Sequence, residues 1–210
     1  NRYSAKSRCS VKTRCAVFSF FAAFCVLASS WVLPGDCSAL DRCRKYKARV
    51  IREAHYHIGL NAPWHLFLGQ IEQESGCRPG VTAFDGGAGL GQFMPKTAEW
   101  IHDREEALRE SSVTPSPYDV RWSIRALILY DRYLYGVVLC EDWSYAFRAY
   151  NGGQGILNRE IRRAGSCDRK TVESQCRRKV IRLRNGSLLD LCRVNIDYPR
   201  QIERRGERYR

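Results

Sequence analysis

Apolar positions recur at helical spacing along most of the chain beyond residue 37. Over 38–58, Leu40, Tyr46, Val50 and Ala54 mark one side of a helix that Ser38 can cap and Gly59 can end. A second helix is predicted over 62–75. Asn61 opens it, Pro63 sits in the first turn where a missing N–H costs nothing, and Gly76 stops it. A third is predicted from Pro95 to Arg109. Beyond the Ser/Pro-rich stretch 110–118, a long apolar helix over 119–138 carries Trp122, Ile124, Leu127, Ile128, Tyr130, Tyr133 and Leu134. A short helix over 142–150 breaks at Asn151-Gly152-Gly153, and another follows over 154–164. Residues 77–92 are Gly-rich and lack helical period. They read as a loop or small flap with turns at Pro79-Gly80 and Asp85-Gly86-Gly87. Strand signals are faint and no internal repeat is present, so the fold class is mostly α.

The segment 16–33 carries no charge and follows Lys6, Arg8, Lys12 and Arg14, the layout of an export signal. Two outcomes compete. Either the signal is cleaved, with Ala28 and Ser30 as the small residues before the cut, or it stays as an inner-membrane anchor, its length being near the lower limit for a bilayer span. The chain then divides into a signal or anchor over 1–36, a main domain over 37–165 and a basic, Cys-containing extension over 166–210.

Composition sharpens this picture. With 44% hydrophobic and 27% charged residues the chain suits a globular protein. Its net charge of +13 suits an anionic partner, whether nucleic acid, an acidic membrane or the bacterial wall. Residues 156–210 hold 16 Lys/Arg against 7 Asp/Glu, yet carry no aromatic-interleaved stripe or nucleic-acid motif, so they read as a solvated tail without specific nucleic-acid binding. Seven of the 10 cysteines lie beyond the apolar segment, which indicates an oxidising compartment. Cys37 with Cys43, and pairs among Cys140, Cys167, Cys176 and Cys192, are plausible staples. The odd count leaves a thiol over. No paired C-x2-C spacing occurs and the His55/His57 pair points to different helix faces, so neither metal nor cofactor is expected.

The strongest chemical signal lies on the helix 62–75. Trp64, Phe67 and Ile71 form an apolar stripe, and Glu74 continues it. Glu72 projects from nearly the opposite face. A carboxyl at the end of an apolar stripe loses hydration, which raises its pKa and lets it give up a proton near neutral pH. The alternative is a partly exposed Glu at a helix end, paired with an Arg.

Three ordered blocks add a resemblance. Ile71-Glu72-Gln73-Glu74-Ser75-Gly76, then Gly89-Leu90-Gly91-Gln92-Phe93-Met94-Pro95-Lys96-Thr97-Ala98, then Ala149-Tyr150-Asn151-Gly152-Gly153 resemble the soluble lytic transglycosylase family of the goose-type lysozyme-like superfamily. The resemblance covers residues 44–165, and Tyr198–Ile202 is similar to the tails of phage-encoded members. It implies a lysozyme-like domain acting on peptidoglycan glycan strands. Glu74 would be general acid and then base, and Ser75 would orient it or cap the helix. Gln92 would hydrogen-bond the sugar, and Tyr150 would bring its hydroxyl near Glu74. Asn151 would position the N-acetyl group, and Gly89 and Gly91 would let the backbone approach the glycan. Gly91 stands where the family usually has Met, a departure expected to widen the site or loosen the loop.

Typical glycosidases use two carboxylates. Around these blocks only Glu74 is convincing, with Asp85 in the Gly-rich loop a weak second. A single acid suits a substrate-assisted cleavage between N-acetylmuramic acid and N-acetylglucosamine, giving a 1,6-anhydro product. A hydrolytic lysozyme of the same fold and a non-catalytic wall-binding or assembly protein are the competing readings. An export signal with a wall-cutting domain fits the periplasm, as a phage lysis or virion enzyme or a secretion-system enzyme.

Overall fold

The computed structural model describes residues 39–182 and 186–210, and every structural statement below concerns those. The expected export segment, the Ser38 cap and Cys37 lie outside them. The described residues are mostly helical. The order is α1 (Ala39–Arg44), α2 (Lys47–His57), α3 (Trp64–Ser75), α4 (Pro95–Arg104), α5 (Glu106–Arg109), α6 (Val120–Val137), α7 (Trp143–Gly152), α8 (Gln154–Ala164), α9 (Arg169–Ser174), β1 (Val180–Arg182), β2 (Leu188–Asp190), α10 (Leu191–Gly206) and a final 3₁₀ turn, Glu207–Tyr209. The strands pair antiparallel with Ile181 opposite Leu189, β1 exposed and β2 partly buried, a faint pattern the sequence reading passed over.

Several expected helices shift at their ends for local reasons. The helix foreseen over 38–58 is two, separated by a turn in which Tyr46 N–H donates to Cys43 O at 2.9 Å. That turn keeps Tyr46 in the core while Cys43 bonds to Cys77. Helix α3 starts at Trp64 rather than after Asn61, because Ala62 N–H closes a turn on Gly59 O (3.0 Å). The helix foreseen to Arg109 breaks at Glu105. This residue takes extended backbone and turns its carboxylate to Arg132 of α6 at 3.0 Å. Asp119 and Asp142 cap α6 and α7 by accepting from Trp122 N and Ser144 N.

Helix α3 is buried on almost every side, as befits a central core helix. Phe67, Leu68 and Ile71 pack with Val50 and Ala54 of α2, Ile124 and Leu127 of α6 and Ile202 of α10 in one core cluster. A second cluster joins α6, α7, α8 and α9 through Leu134, Tyr145, Leu157, Ile161 and Val172.

The C-terminal residues depart from the solvated tail expected of them. Residues 37–210 form one compact unit, and α10 lies along α3. The backbones nearly touch: a Cβ on Gly69 would stand 2.6 Å from Ile202 O and 2.7 Å from Gly206 N. Tyr198, Ile202 and Gly206 repeat every four residues along a buried stripe, while Arg200 and Arg204 between them are exposed and Arg205 turns toward Glu72. Three disulfides brace the unit. Cys43–Cys77 replaces the expected Cys37–Cys43 staple, and Cys140–Cys167 and Cys176–Cys192 pair within the expected set. Such bridges fit an exported protein. No described helix is long and apolar enough to cross a membrane.

Candidate active site

The site is built at the C-terminal end of α3. Gly76 takes left-handed backbone (φ 57°) and ends the helix just past Glu74, so the chain turns at once into the 77–93 segment. That segment is a flap of short bridges, Thr82 to Ala88 and Ala88 to Phe93, which agrees with the small flap read from the Gly-rich pattern. Ser75 pins it to the helix. Its buried hydroxyl lies within reach of Ile71 O at 3.1 Å and Leu90 O at 3.0 Å, and so joins helix to flap rather than touching Glu74.

Gly89 and Gly91 both hold places where a side chain has no room. Gly89 has φ 74°, and a Cβ there would stand 1.7 Å from Pro117 O. A Cβ on Gly91 would meet the Phe93 ring at 2.7 Å and Tyr150 Oη at 3.0 Å. The expectation that Gly91 widens or loosens the site is therefore corrected: Phe93 and Tyr150 fill that space. The flap is also firmly tied. Gly91 N–H donates to Ser123 Oγ at 3.3 Å, and Gln92 Nε2 donates to Gly89 O at 2.8 Å and Val81 O at 3.2 Å. The Gln92 amide hydrogens hold the loop, so only its Oε1 is without one of these bonds.

Glu74 is partly exposed, and its carboxyl is pushed up from 4.5 to about 7. Burial is the main cause, and the negative charge of Asp85 adds to it. One bond works the other way: the buried Tyr198 hydroxyl donates to Glu74 Oε1 and favours the ionised form. Tyr198 belongs to α10 and was not among the expected site residues. Its place on a four-residue apolar stripe with Ile202 was the available signal, hidden within a run of arginines.

Tyr150 donates its hydroxyl to Gly91 O at 2.6 Å, and its own pKa is driven well up by burial and then by the Glu74 charge. Its ring meets Phe93 and Tyr130, with centroids 6.1 and 5.2 Å away. From Tyr130 the aromatic surface continues to Tyr133 and the exposed Trp100. Asn151 is exposed, and its Oδ1 accepts from Asn195 Nδ2 of α10 at 3.2 Å. Asn195 also bonds Arg148, which reaches Glu160 at 2.7 Å in a buried ion pair. Helix α10 thus holds the Glu74 carboxyl and the Asn151 side chain from positions three residues apart.

A second carboxyl escaped the sequence reading. Asp131 on α6 is wholly buried, with Gln70 Nε2 3.4 Å from its Oδ1. Burial holds its pKa well above the carboxylate range, and the Glu74 charge adds to this. Sealed from solvent, it cannot meet a sugar. Asp85 is exposed in the flap, and its Oδ1 accepts from Gly87 N. Nothing among the described residues forms a metal-binding group, and His57 turns to Glu53 at 3.4 Å instead.

Comparison with protein families matches the transglycosylase SLT domain over residues 53–172, which takes in α3, the flap, α6, α7 and α8 but stops short of α10. No curated protein matches the chain. With more than half its length so matched, around a helix-end glutamate, a pinned flap and the Ala-Tyr-Asn end of α7, the chain belongs to the transglycosylase SLT domain family, whose lytic transglycosylases act on the glycan strands of peptidoglycan.

Proposed function

We propose that the chain cleaves the β-1,4 bond between N-acetylmuramic acid and N-acetylglucosamine and leaves a 1,6-anhydromuramic end, with Glu74 as the sole acid and base. One observation carries this reading. The Glu74 carboxyl of this partly exposed residue is raised to about 7, so a large share of it carries a proton near neutral pH, as protonation of a leaving oxygen requires.

Glu74 gives its proton to the glycosidic oxygen as the bond to the muramic C1 breaks. The sugar's own acetamido oxygen stabilises the cation at C1. Glu74, now ionised, takes the proton of the C6 hydroxyl, whose oxygen closes on C1. Atoms balance without water, and the carboxyl returns to its starting state. Tyr198 is a positioning residue that fixes the carboxyl and steadies its charge between the two proton transfers. Asn151 and Gln92 Oε1 meet the sugar, Tyr150 and Ser75 hold the flap against α3, and Gly89 and Gly91 let its backbone come close. A second carboxylate of the usual paired kind is missing from this scheme. Asp131 is closed off and Asp85 is held in the flap.

Mass spectrometry of muropeptides released from purified peptidoglycan tests the reading. Anhydromuramic ends from the parent and none from Glu74→Gln are expected. Reducing ends would make the enzyme a hydrolase instead. An absence of products from both would leave a protein that binds the wall without cutting it.

A further inference from the structure

The two-stranded sheet β1–β2 belongs to neither core cluster. Its register sets Arg182 opposite Leu188 and Val180 opposite Asp190, so these four side chains share one face. That face is apolar where it meets water. Leu188 is 64% exposed, and Val180 is exposed beside it. Ile181, on the other face, is exposed as well. The surroundings are basic. Residues 176–182 hold Arg177, Arg178, Lys179 and Arg182 and no acid. Arg177, Lys179 and Arg182 are exposed and form no ion pair among the described residues. The acids that flank the sheet in sequence are already matched: Asp190 by Arg178 at 3.3 Å, Glu173 by Arg200 at 2.6 Å and Asp197 by Arg200 at 3.1 Å. The sheet is also braced. Cys176–Cys192 joins the chain before β1 to the start of α10, and Leu191 N–H donates to Lys179 O at 2.9 Å.

Aliphatic side chains set among unpaired cations match the boundary between lipid headgroups and acyl chains. There the apolar tips leave water while the long stems of Arg and Lys carry their charges to the phosphates. A nucleic acid would offer phosphates but no place for Val180, Ile181 and Leu188, and residues 176–192 hold no aromatic ring on which a base could stack. We propose that β1–β2 docks the protein on the surface of a bilayer containing anionic phospholipid. The contact is separate from the uncharged segment 16–33 and lies beyond the family match, which ends at residue 172. It uses no part of the cleavage chemistry and stands whether or not Glu74 acts as proposed. Its effect is to keep a wall-cutting domain beside the membrane.

The test is flotation of residues 37–210, the compact unit that carries both cores and the three disulfides, with vesicles of phosphatidylglycerol and with vesicles of phosphatidylcholine. Leaving out residues 1–36 removes any contribution from their apolar stretch. Binding to phosphatidylglycerol is expected to be tighter by a factor on the order of 10² and to weaken as salt rises. The variant Arg177→Gln/Lys179→Gln/Arg182→Gln should lose that factor. Val180→Ser/Leu188→Ser keeps every charge and should lose about tenfold on phosphatidylglycerol. Both variants should unfold at the parent's denaturant midpoint and release muropeptides from isolated peptidoglycan at the parent's rate. Leu188→Ser alone, at the most exposed position, repeats the apolar test if the pair does not fold. Equal binding to the two vesicle types, binding to neither, or binding that survives either set of changes overturns the proposal. So does a single-stranded oligonucleotide bound through the three cations when vesicles are not, which would assign them to nucleic acid. Flotation as expected without muropeptide release from any form refutes the cleavage reading and leaves the docking surface standing.

Discussion

Glu72 and Glu74 lie two residues apart on one helix and live in opposite surroundings. Glu72 points away from the flap into a cluster of donors. Arg208 and the Tyr209 hydroxyl both reach it at 2.5 Å, and Arg205 Nε stands 3.9 Å away. Its charge is answered on the spot, and the result is a clasp that fastens the C-terminus to α3. Glu74 is desolvated and meets the Tyr198 hydroxyl and the charge of Asp85. No cation among the described residues pairs with it, so it holds its proton to a higher pH than a free glutamate does. The same residue type becomes a structural anion on one face and a proton donor on the other, because helix periodicity turns them to different neighbours.

Exchanging the carboxyls for amides separates these two roles. The largest expected effect is on turnover: Glu74→Gln lowers it by a factor on the order of 10²–10⁴, while Glu72→Gln leaves the folded enzyme within a few-fold of the parent in muropeptide release assays. The next is on stability, with opposite signs. Glu72→Gln weakens two charge-assisted bonds, one from an exposed arginine, and should cost about 1–2 kcal/mol in denaturant titrations. Glu74→Gln should gain stability at high pH. The folded carboxyl binds its proton up to about 7 against 4.5 in the free side chain, so parent stability falls as pH rises between those values. The gain is therefore absent near pH 4 and reaches at most about 3 kcal/mol at pH 8. A gain that persists at pH 4 would mean that the amide repacks the site rather than removing a charge penalty.

Smaller effects sharpen the proton's role. Activity should fall about tenfold per pH unit once pH exceeds about 7, as Glu74 loses its proton. Tyr198→Phe removes the bond that favours the ionised carboxyl, so its pH–rate profile should move to higher pH. A profile that stays in place while the rate drops would reduce Tyr198 to a packing role. The smallest effect is expected for Asp131→Asn. A carboxyl already held neutral is well mimicked by an amide, and activity at pH 6 should change less than about threefold.

Much of this arrangement was legible along the chain. The apolar stripe through Trp64, Phe67 and Ile71 places Glu74, and Gly76 ends its helix as read. The Gly-rich flap and the long α6 also match the sequence reading, while α7 runs two residues past Tyr150 and breaks only at Gly153. Residues whose roles depend on distant chain were less legible. Tyr198 is 124 positions from Glu74 and lies in a helix that looked like a charged tail. Gln92 seemed aimed at the sugar, yet its amide hydrogens are used by carbonyls of its own loop. Asp131 is a lone acid in an apolar helix, a visible irregularity whose meaning came only with Gln70 and Glu74 around it.

Local periodicity and turn chemistry, carried by neighbours a few positions apart, determined the mostly helical fold and the one prominent acid, Glu74, near the end of α3. The tertiary structure alone decided that Cys43 bonds to Cys77, that α10 lies against α3 with glycines at the crossing, and that Tyr198 and Asn195 bring their polar groups to Glu74 and Asn151. Those outcomes follow from how buried stripes on separate helices meet, and sequence spacing holds no record of that meeting. The pKa that makes Glu74 useful belongs to the second kind. Desolvation is a property of everything packed around a carboxyl, not of the residues beside it in the chain.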